Sequence, residues 1–91
     1  METEYEKRNN EIITIPVRLR ESLANVYHAA IEVKSSKTKK DRVVNVYLFN
    51  NNLRNYKLIL KEAQNLEINT SNDEDIFRDI KKRFKGERIF K

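Results

Sequence analysis

Cysteine and tryptophan are absent from this 91-residue chain, and glycine, proline, histidine and methionine occur once each. Without cysteine there are no disulfides and no thiolate metal sites, which fits a cytoplasmic protein, or one inside a host cell if the gene is viral. One glycine excludes the Gly-rich loops that cradle nucleotide phosphates, because such loops need several positions without a Cβ. One histidine and no cysteine leave the usual zinc sites and a nucleophile with a histidine base hard to assemble. His28 has no neighbour in sequence that forms a constellation with it, so it reads as a solvated or half-buried side chain. No run of 18 apolar residues and no signal-peptide core follow Met1, so nothing argues for membrane insertion or secretion. These absences predict a protein that is not an enzyme and holds no cofactor or metal.

Charge is what the chain has in quantity: 36% of residues are charged and the net charge is +5. It is unevenly distributed. One basic block runs from Lys34 to Arg42 and another from Arg78 to Lys91, while Glu62 to Asp75 contains five carboxylates and no Lys or Arg. Segregation on this scale makes the local positive potential stronger than the net charge implies, and points to an anionic partner. A chain of this size buries only about 60 to 65% of its unfolded surface, a shortage that homodimerisation would relieve.

Residues 1–10 are polar and without periodicity and read as a flexible N-terminal arm, with 11–91 as one compact domain ending in a basic tail. Ile13, Ile15, Val17 and Leu19 alternate with Thr14, Pro16 and Arg18, the period of a half-buried strand over 11–19, with Pro16 placing it at an edge. Residues 20–34 satisfy two templates. As a helix they align Leu23, Val26, Ala30 and Val33; as a strand over 26–34 they alternate Tyr27, Ala29, Ile31 and Val33 with polar neighbours. The β-branched and aromatic run Val43 to Phe49 predicts a strand over 42–49. Asn50, Asn51 and Asn52 then offer N-caps for a helix near 52–67, with Leu53, Tyr56, Leu60 and Ala63 on one face. Ser71 and Glu74 have the spacing of a capping box for a helix near 72–85, which Gly86 would end in a left-handed turn, and Ile89 and Phe90 could clip onto the core. The predicted fold is therefore α+β, a short sheet packed by two or three helices.

The candidate binding residues are Lys34, Lys37, Lys39, Lys40 and Arg42 in the first block and Lys81, Lys82, Arg83 and Lys85 in the second. Ser35, Ser36 and Thr38 add hydroxyl donors suited to phosphate oxygens, and lysine serves as a point-charge phosphate ligand. With a pI near 9.6 the expected partner is nucleic acid, duplex DNA ahead of RNA, in a regulatory or architectural role. The aromatics near the blocks, Tyr47, Phe49, Phe84 and Phe90, have core spacing, which disfavours single-strand stacking. The competing expectation is a protein-binding module or inhibitor, virus-encoded in one version, that meets an acidic partner. Asp73, Glu74, Asp75 and Asp79 sit where a helix N-terminus favours acids for structural reasons, so a metal site is not expected there.

The run Ile13 to Ile31 resembles the opening of a ribbon-helix-helix regulator, in which a strand pairs with its partner chain and enters the DNA major groove. That resemblance implies Thr14, Pro16 and Arg18 facing DNA and Thr38 with Asp41 capping a second helix. The chain departs from the pattern after that point, because residues 43–49 are poor helix formers and a third long helix is unaccounted for. Membership of the family is not inferred.

Overall fold

Leu19, Leu23, Val26, Ala30 and Val33 recur at intervals of four and three residues, and so do Phe49, Leu53, Tyr56, Leu60 and Ala63. That spacing keeps one stripe of a helix facing a partner helix along its whole length. The computed structural model of the protein describes residues 4–90, with side chains from Asn10 onward, and builds both series into long helices. The elements in order are α1 (Glu4–Lys34), α2 (Lys39–Asn65), α3 (Ser71–Arg83) and a 3₁₀ turn at Lys85–Glu87.

α1 and α2 form an antiparallel hairpin. Its register is fixed at one end by Arg18 and Glu62, 3.8 Å apart, and at the other by Asn45 Nδ2, which donates to the Glu32 carbonyl at 3.2 Å. Between these points Leu19, Leu23, Val26, Ala30 and Val33 are buried against Phe49, Leu53, Tyr56 and Ala63. α3 lies across this pair, running in the direction of α1. Arg20 Nε donates to Asp73 Oδ1 at 2.8 Å near its start, and the Tyr27 and Phe84 rings meet at 5.9 Å just past its end. Phe77 stacks on Tyr56 at 4.8 Å, and Phe90 reaches Phe49 and Phe77 at 5.0 and 5.7 Å, so the tail does clip onto the core, with Ile89 buried beside it.

Arg18 lies 14 residues after the start of α1, whereas Glu62 lies three residues before the end of α2. At 1.5 Å per residue, roughly 16 Å of α1 projects beyond α2. Ile12 and Ile13 sit at the base of this projection and are 46% and 69% exposed. Helical backbone starting at Glu4 covers most of the stretch expected as an arm; Met1 to Thr3 and Lys91 lie outside the described residues.

The α+β expectation is overturned: among the described residues there is no strand. Residues 11–19 are helical, and their alternation has a helical cause. Ile15 and Leu19 form one i, i+4 pair buried at 3% and 1%, while Ile13 and Val17 form a second on another face, 69% and 58% exposed. Two such pairs offset by two residues imitate a strand. Residues 26–34 take the helical option, and 42–49 are the second and third turns of α2, where Phe49 and Val46 face the core and the rest of the apolar run faces out. Tertiary burial outweighs their weak helix propensity. Asn50 to Asn52 do not start a helix; they lie inside one, with Asn52 Nδ2 donating to the Leu48 carbonyl at 2.9 Å. The ribbon required by the ribbon-helix-helix resemblance is therefore absent, although Thr38 does cap α2 by accepting from the Asp41 N–H at 3.1 Å.

The helix ends also differ from expectation. The box at Ser71 is displaced: Thr70 is the residue before α3, and its hydroxyl donates to Glu74 Oε2 at 3.3 Å, while Ser71 N–H donates to Asn69 Oδ1 at 3.1 Å. Gly86 has no positive φ; the left-handed residues are Glu67 and Arg88, at φ 60° and 56°. At Glu67 the Ile68 N–H donates to the Ala63 carbonyl and the Glu67 N–H to the Gln64 carbonyl, at 2.9 and 3.0 Å. This double bond pattern is a Schellman ending, with glutamate where glycine is usual. Replacing Glu67 by glycine relieves the Cβ clash of the left-handed conformation, so Glu67→Gly is expected to raise stability by about 0.5–1 kcal/mol, measured by urea unfolding.

Tyr56 is fully buried and its hydroxyl has no hydrogen-bond partner among the described residues. Burial first, and then the Asp73 and Glu74 carboxylates, push its pKa up from 10 to about 12. The folded state thus holds the phenolic proton more tightly than the unfolded chain, so the associated stability is complete below pH 10 and is lost as pH rises towards 12. Comparing wild type with Tyr56→Phe isolates the phenol. The variant is expected to be at least as stable at pH 7, since it deletes an unsatisfied polar atom, and to lose about 2–3 kcal/mol less between pH 10 and 12.

Candidate nucleic-acid interface

The last turn of α1 and the first turn of α2 share one end of the bundle; α3 points towards it but ends beside Tyr27, two turns before α1 does, and the segment after α3 reaches that end where Glu87 meets Arg42. Lys34, Lys37, Lys39 and Lys40 are exposed at this end, and Lys81, Lys82, Arg83 and Lys85 are exposed on α3 and just after it. The two basic blocks, remote in sequence, meet where Glu87 bonds Arg42, and the second extends from there back along α3. The carboxylates of the intervening stretch, Glu62, Glu67, Asp73, Glu74 and Asp75, gather where α2 ends and α3 begins, at the opposite pole.

Arg42 has a different role from its neighbours. It is partly buried, its Nη1 donates to Glu87 Oε1 and its Nη2 to the Glu87 carbonyl, both at 3.0 Å, across 45 residues of sequence. Arg42 is thus the strut that fastens the C-terminal block to the start of α2, and its charge is largely committed within the chain. Arg83 also turns inward: its guanidinium lies 5.4 Å from the centroid of Tyr27 and 5.9 Å from that of Phe84, flanking the cleft between α1 and α3. Lys81 Nζ rests 5.8 Å from the Phe77 ring.

On the outer side of α3 a groove of about 350 Å³ is lined by Arg78, Lys81, Lys82, Lys85 and Arg88, with Phe84 and Phe90 as its apolar floor. Arg78 and Arg88 were not among the residues singled out from the sequence. Both belong to the second basic block, which was the available signal; Arg78 also bonds Asp75 Oδ1 at 3.1 Å. Of the hydroxyls considered as phosphate donors, Ser36 is engaged, donating to the Glu32 carbonyl at 3.0 Å and accepting from Asn45 Nδ2 at 2.9 Å. Thr38 accepts its capping bond, and Ser35 is exposed. Phe49 and Phe84 are buried and Phe90 packs on two rings, which leaves Tyr47 as the exposed aromatic of the four considered. His28 is exposed on α1 and meets Tyr27 edge-on at 5.9 Å.

The acidic residues at the other pole are engaged in structure: Asp73 with Arg20, Asp75 with Arg78, and Glu74 with Gln64 and Thr70. Among the described residues no helix is long and apolar enough to cross a membrane. No protein-family model, curated protein or solved structure matches the chain.

The strut can be tested directly. Arg42→Ala should cost about 1–2 kcal/mol in urea unfolding, reduced from a buried pair's cost by the partial exposure of Arg42, and should make the segment after Arg83 the first site of proteolysis. Arg42→Lys should restore little of this, since an ammonium cannot bridge a carboxylate and a carbonyl in the forked geometry of a guanidinium.

Proposed function

We propose that this chain is a non-catalytic nucleic-acid-binding protein of the cytoplasm that neutralises backbone phosphates with the basic face of its bundle. The observation that supports this reading is that the second basic block runs along α3 to meet the first where Glu87 bonds Arg42, while the carboxylates of Glu62 to Asp75 lie at the other end. A polyanion approaching this face meets Lys37 in the loop with Lys39 and Lys40 on α2, and Lys81 and Lys82 on α3 with Lys85 just after it; the exposed Glu32 and Asp41 stand beside the first group. Flexible ammonium groups on rigid helix ends suit a ligand read through its phosphates and not its bases. Duplex DNA is favoured over single strands, since Phe49 and Phe84 are buried and Phe90 is packed on two rings, which leaves Tyr47 as the exposed aromatic of these four. Such contacts supply affinity with little sequence discrimination, in keeping with an architectural or regulatory role.

The test is fluorescence anisotropy with labelled duplex DNA, single-stranded DNA and structured RNA at several salt concentrations. Duplex binding should weaken linearly in log–log form, with a slope of about −4 to −5 if five phosphates are contacted. Charge reversal at Lys39, Lys40, Lys82 and Arg83 together should abolish binding while helical circular dichroism is kept, because none of the four is buried, although Arg83 gives up its contacts with the Tyr27 and Phe84 rings. Unchanged affinity in that variant, or no binding at low salt, would refute the reading and turn attention to an acidic protein partner.

A further inference from the structure

The outward face of α2 carries an apolar stripe that the fold leaves uncovered. Val43, Val44, Tyr47, Leu48 and Leu58 are between 48% and 65% exposed. At 100° per residue they centre roughly 150° around the helix from the buried series Phe49, Leu53, Tyr56, Ile59 and Ala63. α1 and α3 pack on that buried side, so α2 has a second, solvent-facing seam. Its residues Val44, Tyr47, Asn51, Arg54 and Leu58 again step by three and four, the spacing of a helix that faces another helix.

We propose that a second copy of this chain covers this face, with the two α2 helices antiparallel and Asn51 on the two-fold axis. The seam is self-complementary in that register. Val44 meets the partner's Leu58, Tyr47 lies beside the partner's Arg54, ring to guanidinium, and Lys40 meets the partner's Glu62, a half-exposed carboxylate that also lies 3.8 Å from Arg18 of its own chain. The two Asn51 amides face each other at the centre, where a reciprocal polar pair fixes register and orientation in helix–helix seams. Every contact occurs twice, as an isologous interface requires.

Charge selects this orientation over the parallel one. Parallel pairing would set Lys40 against Lys40 and Arg54 against Arg54, and would bring two basic poles together. Antiparallel pairing puts the basic pole of each copy beside the acidic pole of the other, where Glu62 and Glu67 are exposed. The seam from Lys40 to Glu62 is about 33 Å long, so a single pair of helices supplies a continuous contact.

The test is sedimentation equilibrium of the full chain, together with two kinds of variant. A monomer–dimer equilibrium is expected for the wild type. Val44→Glu combined with Leu58→Glu should raise the dissociation constant at least about 100-fold, because the seam would then enclose uncompensated charge. Should that variant lose its helical signal, Lys40→Glu supplies the same test from the surface: it should weaken the dimer, and adding Glu62→Lys should restore it. As the chain has no cysteine, Asn51→Cys introduces a single thiol that mild oxidation should convert to a covalent dimer, whereas Arg78→Cys on α3 should not cross-link. A wild-type chain that stays monomeric at high concentration would overturn the proposal and leave the face to a different partner. A dimer indifferent to the Lys40 and Glu62 exchange and not cross-linked through position 51 would overturn it equally.

Discussion

The antiparallel seam between α1 and α2 is the contact on which the rest of the molecule depends. Large side chains from α2, Phe49 and Tyr56, are fully buried against Val26, Ala30 and Val33, small or β-branched residues of α1 that let the helix axes approach. Fully burying side chains of this kind is worth about 1.5–3 kcal/mol each, and neither helix could hold its apolar stripe out of water alone. α3 adds a third side through Phe77 and Ile80, and the tail closes over Phe49 through Phe90. The direction of α3 follows from this hairpin: the turn after the Schellman ending at Glu67 returns the chain beside α1, so the third helix runs parallel to the first. That parallel course is what carries the second basic block towards the first.

How much of this was legible in the sequence varies by segment. The helices expected near 52–67 and near 72–85 each show a buried apolar stripe; the first proves to be the second half of a helix that begins at Lys39, and the second is α3, ending at Arg83. The segments read as strands fail for a common reason: they present apolar residues on two faces of a helix at once. Ile13 and Val17 lie apart from Ile15 and Leu19, and Val43, Val44 and Tyr47 lie apart from Val46 and Phe49. Two superposed helical stripes resemble alternation or a continuous apolar run, and periodicity alone cannot separate them. The loop that joins α1 to α2 was readable as a loop, but its Thr38 cap carries weight only once the following residues are known to be helical. The single proline misled for a related reason. Pro16 lacks the N–H that would bond the Ile12 carbonyl, yet α1 continues through it. The loss falls where α1 begins to leave the bundle, and Ile15 and Leu19 on either side anchor the helix.

The candidate site was legible as composition and not as geometry. Nine basic residues could be named from the sequence, but the meeting of their two blocks is a property of the up-down-up path, and the sheet first expected would have arranged them differently. The structure also separates the nine into kinds. Arg42 is a strut, Arg83 and Lys81 lie over aromatic rings, and the loop lysines, Lys82 and Lys85 are exposed. The lysines at the end of α3 additionally face its negative dipole end, so their placement favours the helix whether or not a ligand is present.

With the five carboxylates from Glu62 to Asp75 gathered at one end and the lysines of the α1–α2 loop at the other, along a molecule 51 Å in its longest dimension, a single chain carries an axial moment in addition to its net charge, which pairing two chains antiparallel would cancel. In the field of a rod-like polyanion such a body experiences a torque before it experiences contact. It is turned basic pole first while still separated by about a Debye length of solvent. Orientation that a uniformly charged protein of the same net charge would have to find by random tumbling would be biased during such an approach, and raising the salt shortens the distance over which that turning can act.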